Sequence, residues 1–173
     1  GNRLDVAING TGWFQVSGPD GETLYTRAGA FNSNENGQIV TMDGYEVLPS
    51  MAVPANTIDL RINQSGEVYA QVAGQTAPTL LGQLGLASFP NSAGLEELGG
   101  NLFRQTVSSG SATTGVPGQT GFGKIEQGYL EGSNVDPVKE ITDLISAQRA
   151  YEINSKVIQA ADDMAGTVSK GLR

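Results

Sequence analysis

In the last forty residues, Asn134 to Arg173, the apolar positions repeat in a 3,4 alternation found nowhere else in the chain. Leu144, Ala147, Tyr151, Asn154, Ile158, Ala161, Ala165, Val168 and Leu172 share one seam, and only Asn154 on it is polar. This is the a/d pattern of a helix that packs against other helices. With no matching seam elsewhere, its mate is expected in another copy, another protein, or a part of the chain lying outside this sequence. Asp136 can accept hydrogen bonds from the first free amides. Pro137 suits the first helical position, where a missing donor costs nothing. Glu140 adds negative charge near the positive end of the helix dipole. A continuous helix over 137–172 would be about 54 Å long, too long for a small domain to cover. Since such a helix owes most of its stability to packing, the residues beyond about Asn154 are expected to be frayed in the isolated chain or ordered only by contacts with another copy.

The rest of the chain reads differently. Twenty-four glycines, few aromatics, and neither His nor Cys favour a turn-rich β domain over a bundle. The fold class expected is mainly β: a Gly-rich antiparallel β domain over 1–133, followed by one long C-terminal α-helix over 134–173. Alternating apolar runs predict two short strands over 4–16, bent around Gly10 and Gly12, then a turn at Pro19-Asp20-Gly21. Strands over 23–31 and 38–48 follow, separated by a polar turn at 32–37. Residues 57–63 and 67–72 form a hairpin about Gln64-Ser65-Gly66, and 80–89 is a further strand ended by Pro90. Residues 91–104 read as an irregular, partly helical connection, 108–123 as a long Gly, Ser and Thr-rich loop, and regularity returns at Ile125.

Lack of His and Cys removes the imidazole base, the thiol nucleophile and the usual zinc ligands. The net charge of −8 is uneven: twelve acids against five bases over 1–135, and six against five thereafter. An acidic β region argues against binding a nucleic-acid backbone. No apolar run is long enough to span a membrane as a helix. The absence of Cys suits an extracytoplasmic protein that does not rely on disulfides. Beginning at Gly1, the chain is expected to be a processed or truncated product.

Apparent chemical motifs give way to plainer readings. Asn32 to Asp43 has the length of a calcium loop, but it starts with Asn and joins strands rather than helices. Gly10-Thr11-Gly12 and Gly121-Phe122-Gly123 lack the third glycine and the following helix of a nucleotide fingerprint. Glu96-Glu97 and Asp162-Asp163 are neighbours, not opposed acid/base pairs; a carboxylate-only glycosidase would need two distant acids to meet in the fold. No catalytic, cofactor-binding or metal-ligating residue is assigned, and neither a cofactor nor a small-molecule substrate is expected. On the helix, Tyr151 and Asn154 can fix register between helices, with Arg149, Glu152 and Lys156 flanking the seam.

Two blocks are specific enough for a resemblance. Gln127-Gly128-Tyr129-Leu130-Glu131-Gly132-Ser133-Asn134-Val135, with Gln148-Arg149-Ala150-Tyr151-Glu152 and Asn154-Ser155-Lys156, resembles the C-terminal signature of the bacterial flagellar axial proteins. Leu4-Asp5-Val6-Ala7-Ile8-Asn9-Gly10 with Gly12-Trp13-Phe14, and Tyr25-Thr26-Arg27-Ala28-Gly29-Ala30-Phe31, are similar to that family's central β-domain signature. The stretch from Ser108 to Gly118 leading into Gln127 most resembles the distal-rod members, with another axial protein of the proximal rod or hook as the alternative within the family. The resemblance implies a non-enzymatic subunit exported by the flagellar type III apparatus. It polymerises with itself into a hollow shaft across the periplasm, among other rod and hook proteins and surrounding ring proteins. It also implies that the C-terminal helix pairs with an N-terminal helix, which this sequence lacks, in an inner tube beneath an outer β domain. A secreted β-domain binding module with a trimerising helix is the alternative from another class; the alanines at 147, 161 and 165 make the seam thin for it.

Overall fold

The computed structural model describes residues 2–132 and 137–171, with helix side chains from Ile141 onward. The chain divides into two compact units, Gly1–Glu131 and Gly132–Arg173.

The first unit is built from fourteen short strands: β1 (Val6–Asn9), β2 (Trp13–Ser17), β3 (Thr23–Thr26), β4 (Phe31–Ser33), β5 (Ile39–Thr41), β6 (Val47–Leu48), β7 (Thr57–Ile62), β8 (Glu67–Val72), β9 (Thr79–Gln83), β10 (Leu86–Ser88), β11 (Glu96–Gly99), β12 (Leu102–Arg104), β13 (Thr113–Gly115) and β14 (Lys124–Gln127). Every strand pairing among the described residues is antiparallel. The largest sheet runs β11-β12-β3-β2-β10-β13, with β6 also on β2; β7-β8-β9, β4-β5 and β1-β14 are separate.

Alternation along β2 explains how this sheet packs on two sides. Phe14 and Val16 are fully buried in the main core with Leu24, Phe31, Leu86 and Ile125. Trp13 lies among the smaller cluster of Tyr25, Ala87, Phe89 and Phe103 on the other set of alternate positions. Edge-to-face rings join each cluster, Phe14 to Phe31 at 5.1 Å between centroids and Tyr25 to Phe89 at 4.7 Å. Burial pushes the Tyr25 phenol above its usual range. Gly29 is required by close approach: a Cβ there would lie 1.8 Å from the Val6 carbonyl oxygen, while the Val6 amide donates to the Gly29 carbonyl at 2.9 Å.

The mainly β class and the long C-terminal helix stand as the sequence predicts, but several boundaries differ. The strand expected over 38–48 is cut into β5 and β6 by a turn at Met42-Asp43-Gly44, closed by the Gly44 amide on the Thr41 carbonyl at 3.0 Å. The strand expected over 80–89 becomes β9 and β10, because the Leu84 amide leaves the ladder to bond the Gly66 carbonyl at 2.8 Å. The connection expected to be partly helical over 91–104 contains one 3-10 turn, Ser92–Gly94, and then the hairpin β11–β12. The loop expected over 108–123 contains β13, which pairs with β10 from Leu86↔Gly115 to Ser88↔Thr113. Asn34 closes the turn that has the length of a calcium loop, its Oδ1 accepting the Asn36 and Gln38 amides at 3.0 and 2.9 Å.

The second unit is α1 (Pro137–Gly171), an unbroken α-helix of 35 residues. Helical geometry continues past Asn154; the expected fraying concerns its population in solution. Ser146 and Thr167 hydroxyls donate back to the Thr142 and Met164 carbonyls at 2.9 and 2.8 Å. Among the described residues, no helix is long and apolar enough to cross a membrane.

Candidate assembly surface

The residues of α1 expected on the seam lie on the surface of the chain. Leu144, Ala147, Tyr151, Asn154, Ile158, Ala161, Ala165 and Val168 are all exposed, Tyr151 by 75 % and Ile158 by 63 %. Leu172 and Asp136, the expected cap, lie outside the described residues; the helix itself begins at Pro137. Among the described residues no ion pair lies on α1, so Arg149, Glu152 and Lys156 stand apart.

A second stripe lies beside the predicted seam. Ala150, Ile153, Val157, Ala160 and Met164 repeat the same 3,4 spacing, and Ile153 and Met164 are 60 % and 64 % exposed. At 100° per residue the two stripes together cover about half the helix circumference. One neighbouring helix covers a narrower seam than that. The sequence does carry the signal: following the apolar residues one position before each seam residue finds it.

In the β unit, the chain's entrance and exit are joined. β1 and β14 pair from Val6↔Gln127 to Asn9↔Lys124, with Val6, Ile8 and Ile125 buried on one face. Period two places Gln127 on the face of Ile125, and its amide acts there as an extra strand residue. Gln127 Oε1 accepts the Ile62 amide at 2.9 Å; Nε2 donates to the carbonyls of Leu60 at 2.9 Å and Arg3 at 2.7 Å. An Arg3 guanidinium N–H donates to the Ile58 carbonyl. The outer edge of β7 is thereby occupied by side chains, which blunts it against pairing with another strand. Arg27, just beyond β3, gathers the bend between β1 and β2 and holds Glu131 at 2.8 Å.

Two further polar groups are paired locally. Arg104 binds Glu22 through Nε and Nη2 at 3.1 and 3.2 Å, a bond that raises the guanidinium pKa further, and it also meets Glu96 at 3.4 Å. The Tyr69 hydroxyl donates to Glu67 at 3.0 Å, which raises the phenol's pKa. The cleft lined by Asp20, Glu22 and Asp43 also contains Arg104, which pairs with Glu22 there.

A β unit closed on its own core is followed along the chain by a helix with half its girth apolar and exposed. The Flagellar hook protein FlgE/F/G D1 domain matches residues 7–70, and the Flagellar basal body rod FlgEFG protein C-terminal region matches residues 126–170. The chain belongs to this family of flagellar hook and basal-body rod proteins. It is 57 % identical over 173 residues to the flagellar basal-body rod protein FlgG of Agrobacterium fabrum, covering all of this chain and 66 % of that protein. To FlgG of Caulobacter vibrioides it is 53 % identical over 167 residues, 96 % of this chain and 64 % of the relative. The hook protein FlgE of Escherichia coli is 37 % identical over 128 residues, 74 % of this chain but 30 % of the relative. The chain therefore spans just under two thirds of the rod proteins it matches.

Proposed function

We propose that this chain is part of a structural, non-enzymatic subunit of the bacterial flagellar distal rod. Copies assemble into a hollow helical shaft that crosses the periplasm and transmits torque, after export by the flagellar type III apparatus. In this reading residues 1–133 form the outer domain and residues 134–173 the helix of the inner tube. Its partners are further copies of itself, other rod and hook proteins, and the surrounding rings. A growing shaft needs a head-to-tail interface that never closes on itself, which a broad apolar helix face can supply.

The observation that carries the proposal is the exposure of Leu144, Tyr151, Ile158 and Val168 on a helix within the region matched by the basal-body rod C-terminal family. Carrying Ile158→Asp and Val168→Asp together, the full-length protein should keep its β unit folded and fail to form rods by electron microscopy. Normal rods and normal motility in that double variant would overturn the assignment of the seam.

A further inference from the structure

Arg27 stands at the crossing of two segments that the ladders do not join. All five of its N–H groups are engaged. Nη1 donates to the carbonyls of Gly10 at 2.9 Å and Gly12 at 2.7 Å, and Nη2 to that of Ile8 at 3.3 Å. The remaining two face Glu131 in a bidentate pair, Nε to Oε2 at 2.8 Å and Nη2 to Oε1 at 3.0 Å. The bend carbonyls would hold the guanidinium in place without Glu131, so the carboxylate meets a fork that is already oriented.

The other side of the pair has little else to hold it. β14 ends at Gln127, and Gly128, with φ of +82°, turns the chain out of the ladder after its amide bonds the Asp5 carbonyl at 2.8 Å. Tyr129 and Leu130 beyond it are 66 % and 53 % exposed. Between Gly128 and Gly132, the Glu131 carboxylate on Arg27 makes the tie to the β unit. Glu131 is also the last residue of that unit, after which the chain continues to α1.

We propose that Arg27 is a positioning residue, and that its bidentate pair with Glu131 is a latch, hinged at Gly128, fixing where the chain leaves the β unit on its way to the helix. Arg27 thereby serves two segments: it stiffens the β1–β2 bend and sets the exit. The consequence for assembly rests on the rod-subunit reading, because only there does the path from outer domain to inner helix carry load. The latch itself does not.

The test uses this chain as it is. With no native cysteine, spin labels can be placed uniquely at Leu130→Cys and, on the exposed strand β11, at Glu97→Cys. The distance distribution between them is read by electron paramagnetic resonance in the parent and with Glu131→Ala added. A narrow distribution is expected in the parent. In the variant it should spread by about 8 Å, the reach of two freed residues behaving as flexible chain, with the melting temperature of the β unit unchanged. Glu131→Asp, which keeps the charge on a shorter arm, should fall between them. A parent already as broad as Glu131→Ala, or a variant as narrow as the parent, would overturn the latch. Neither result depends on whether α1 builds a rod, which the Ile158 and Val168 substitutions test separately.

Discussion

Phe14 and Ile158 are both large apolar residues, yet one is wholly buried and the other 63 % exposed. That contrast repeats across the molecule. In the β unit, Val6, Val16, Leu86 and Ile125 are each at 0 %, whereas on α1 Leu144, Ile153, Val157 and Val168 are all exposed by 60 % or more. The β unit consumes its apolar surface in its own core; the helix leaves its apolar surface exposed. Because burial of apolar area is the main favourable term in folding, the first region should be stable alone and the second should depend on what covers it. The comparison also locates the joints: Gln127 seals the outer edge of β7, and Arg27 gathers the bend and the exit.

The difference is easiest to break by truncating one residue from each side. Phe14→Ala should cost about 3–5 kcal/mol, the range for emptying an aromatic site in a packed core, and lower the melting temperature of the β unit steeply by calorimetry. Ile158→Ala, of similar apolar character, should leave that transition within about 0.5 kcal/mol of the parent. Equal losses would mean that the helix face is already satisfied within a single chain.

A smaller effect is expected at the stem. Gln127→Leu keeps the bulk but leaves the Ile62 amide and the Leu60 and Arg3 carbonyls without their partner, a loss of about 1–3 kcal/mol, read by denaturant unfolding. A neutral outcome would show that water replaces the amide along β7.

Smallest of all should be the effect of removing the helix. A version ending at Ser133 should unfold at the temperature of the full chain, while the circular dichroism difference between the two in dilute solution falls well short of a fully helical tail. A full helical signal from the dilute monomer would show that α1 supports itself.

How far such behaviour is legible in the sequence varies with the physics of each segment. β1, β2 and the β7–β8 hairpin are legible because period-two alternation and a turn at Gly66 are local signals. β13 is hidden in a Gly, Ser and Thr-rich stretch because its strand character comes from pairing with β10, some twenty-five positions earlier. The β11–β12 hairpin escapes for a related reason: all four residues of β11 are exposed, so Glu96-Glu97-Leu98-Gly99 carries no buried alternation. The first helix seam is visible as spacing, but choosing one 3,4 register conceals the second stripe beside it. Arg27 and Gln127 stand within family-like blocks, yet their tasks depend on partners as far as 104 and 124 positions away, which no local pattern displays.

In the reading proposed above, one chain joins a self-sufficient β unit to a helix completed from outside. Amide hydrogen exchange on the dilute, monomeric chain tests it residue by residue, since protection reports the free energy of opening each hydrogen bond. Amides of β1, β2, β3 and β14 should exchange only through global unfolding, while those of α1 beyond Asn154 exchange through easy local fraying. Protection along the far half of α1 equal to that of the β1–β14 pair, at a concentration where the chain remains monomeric, would contradict the account.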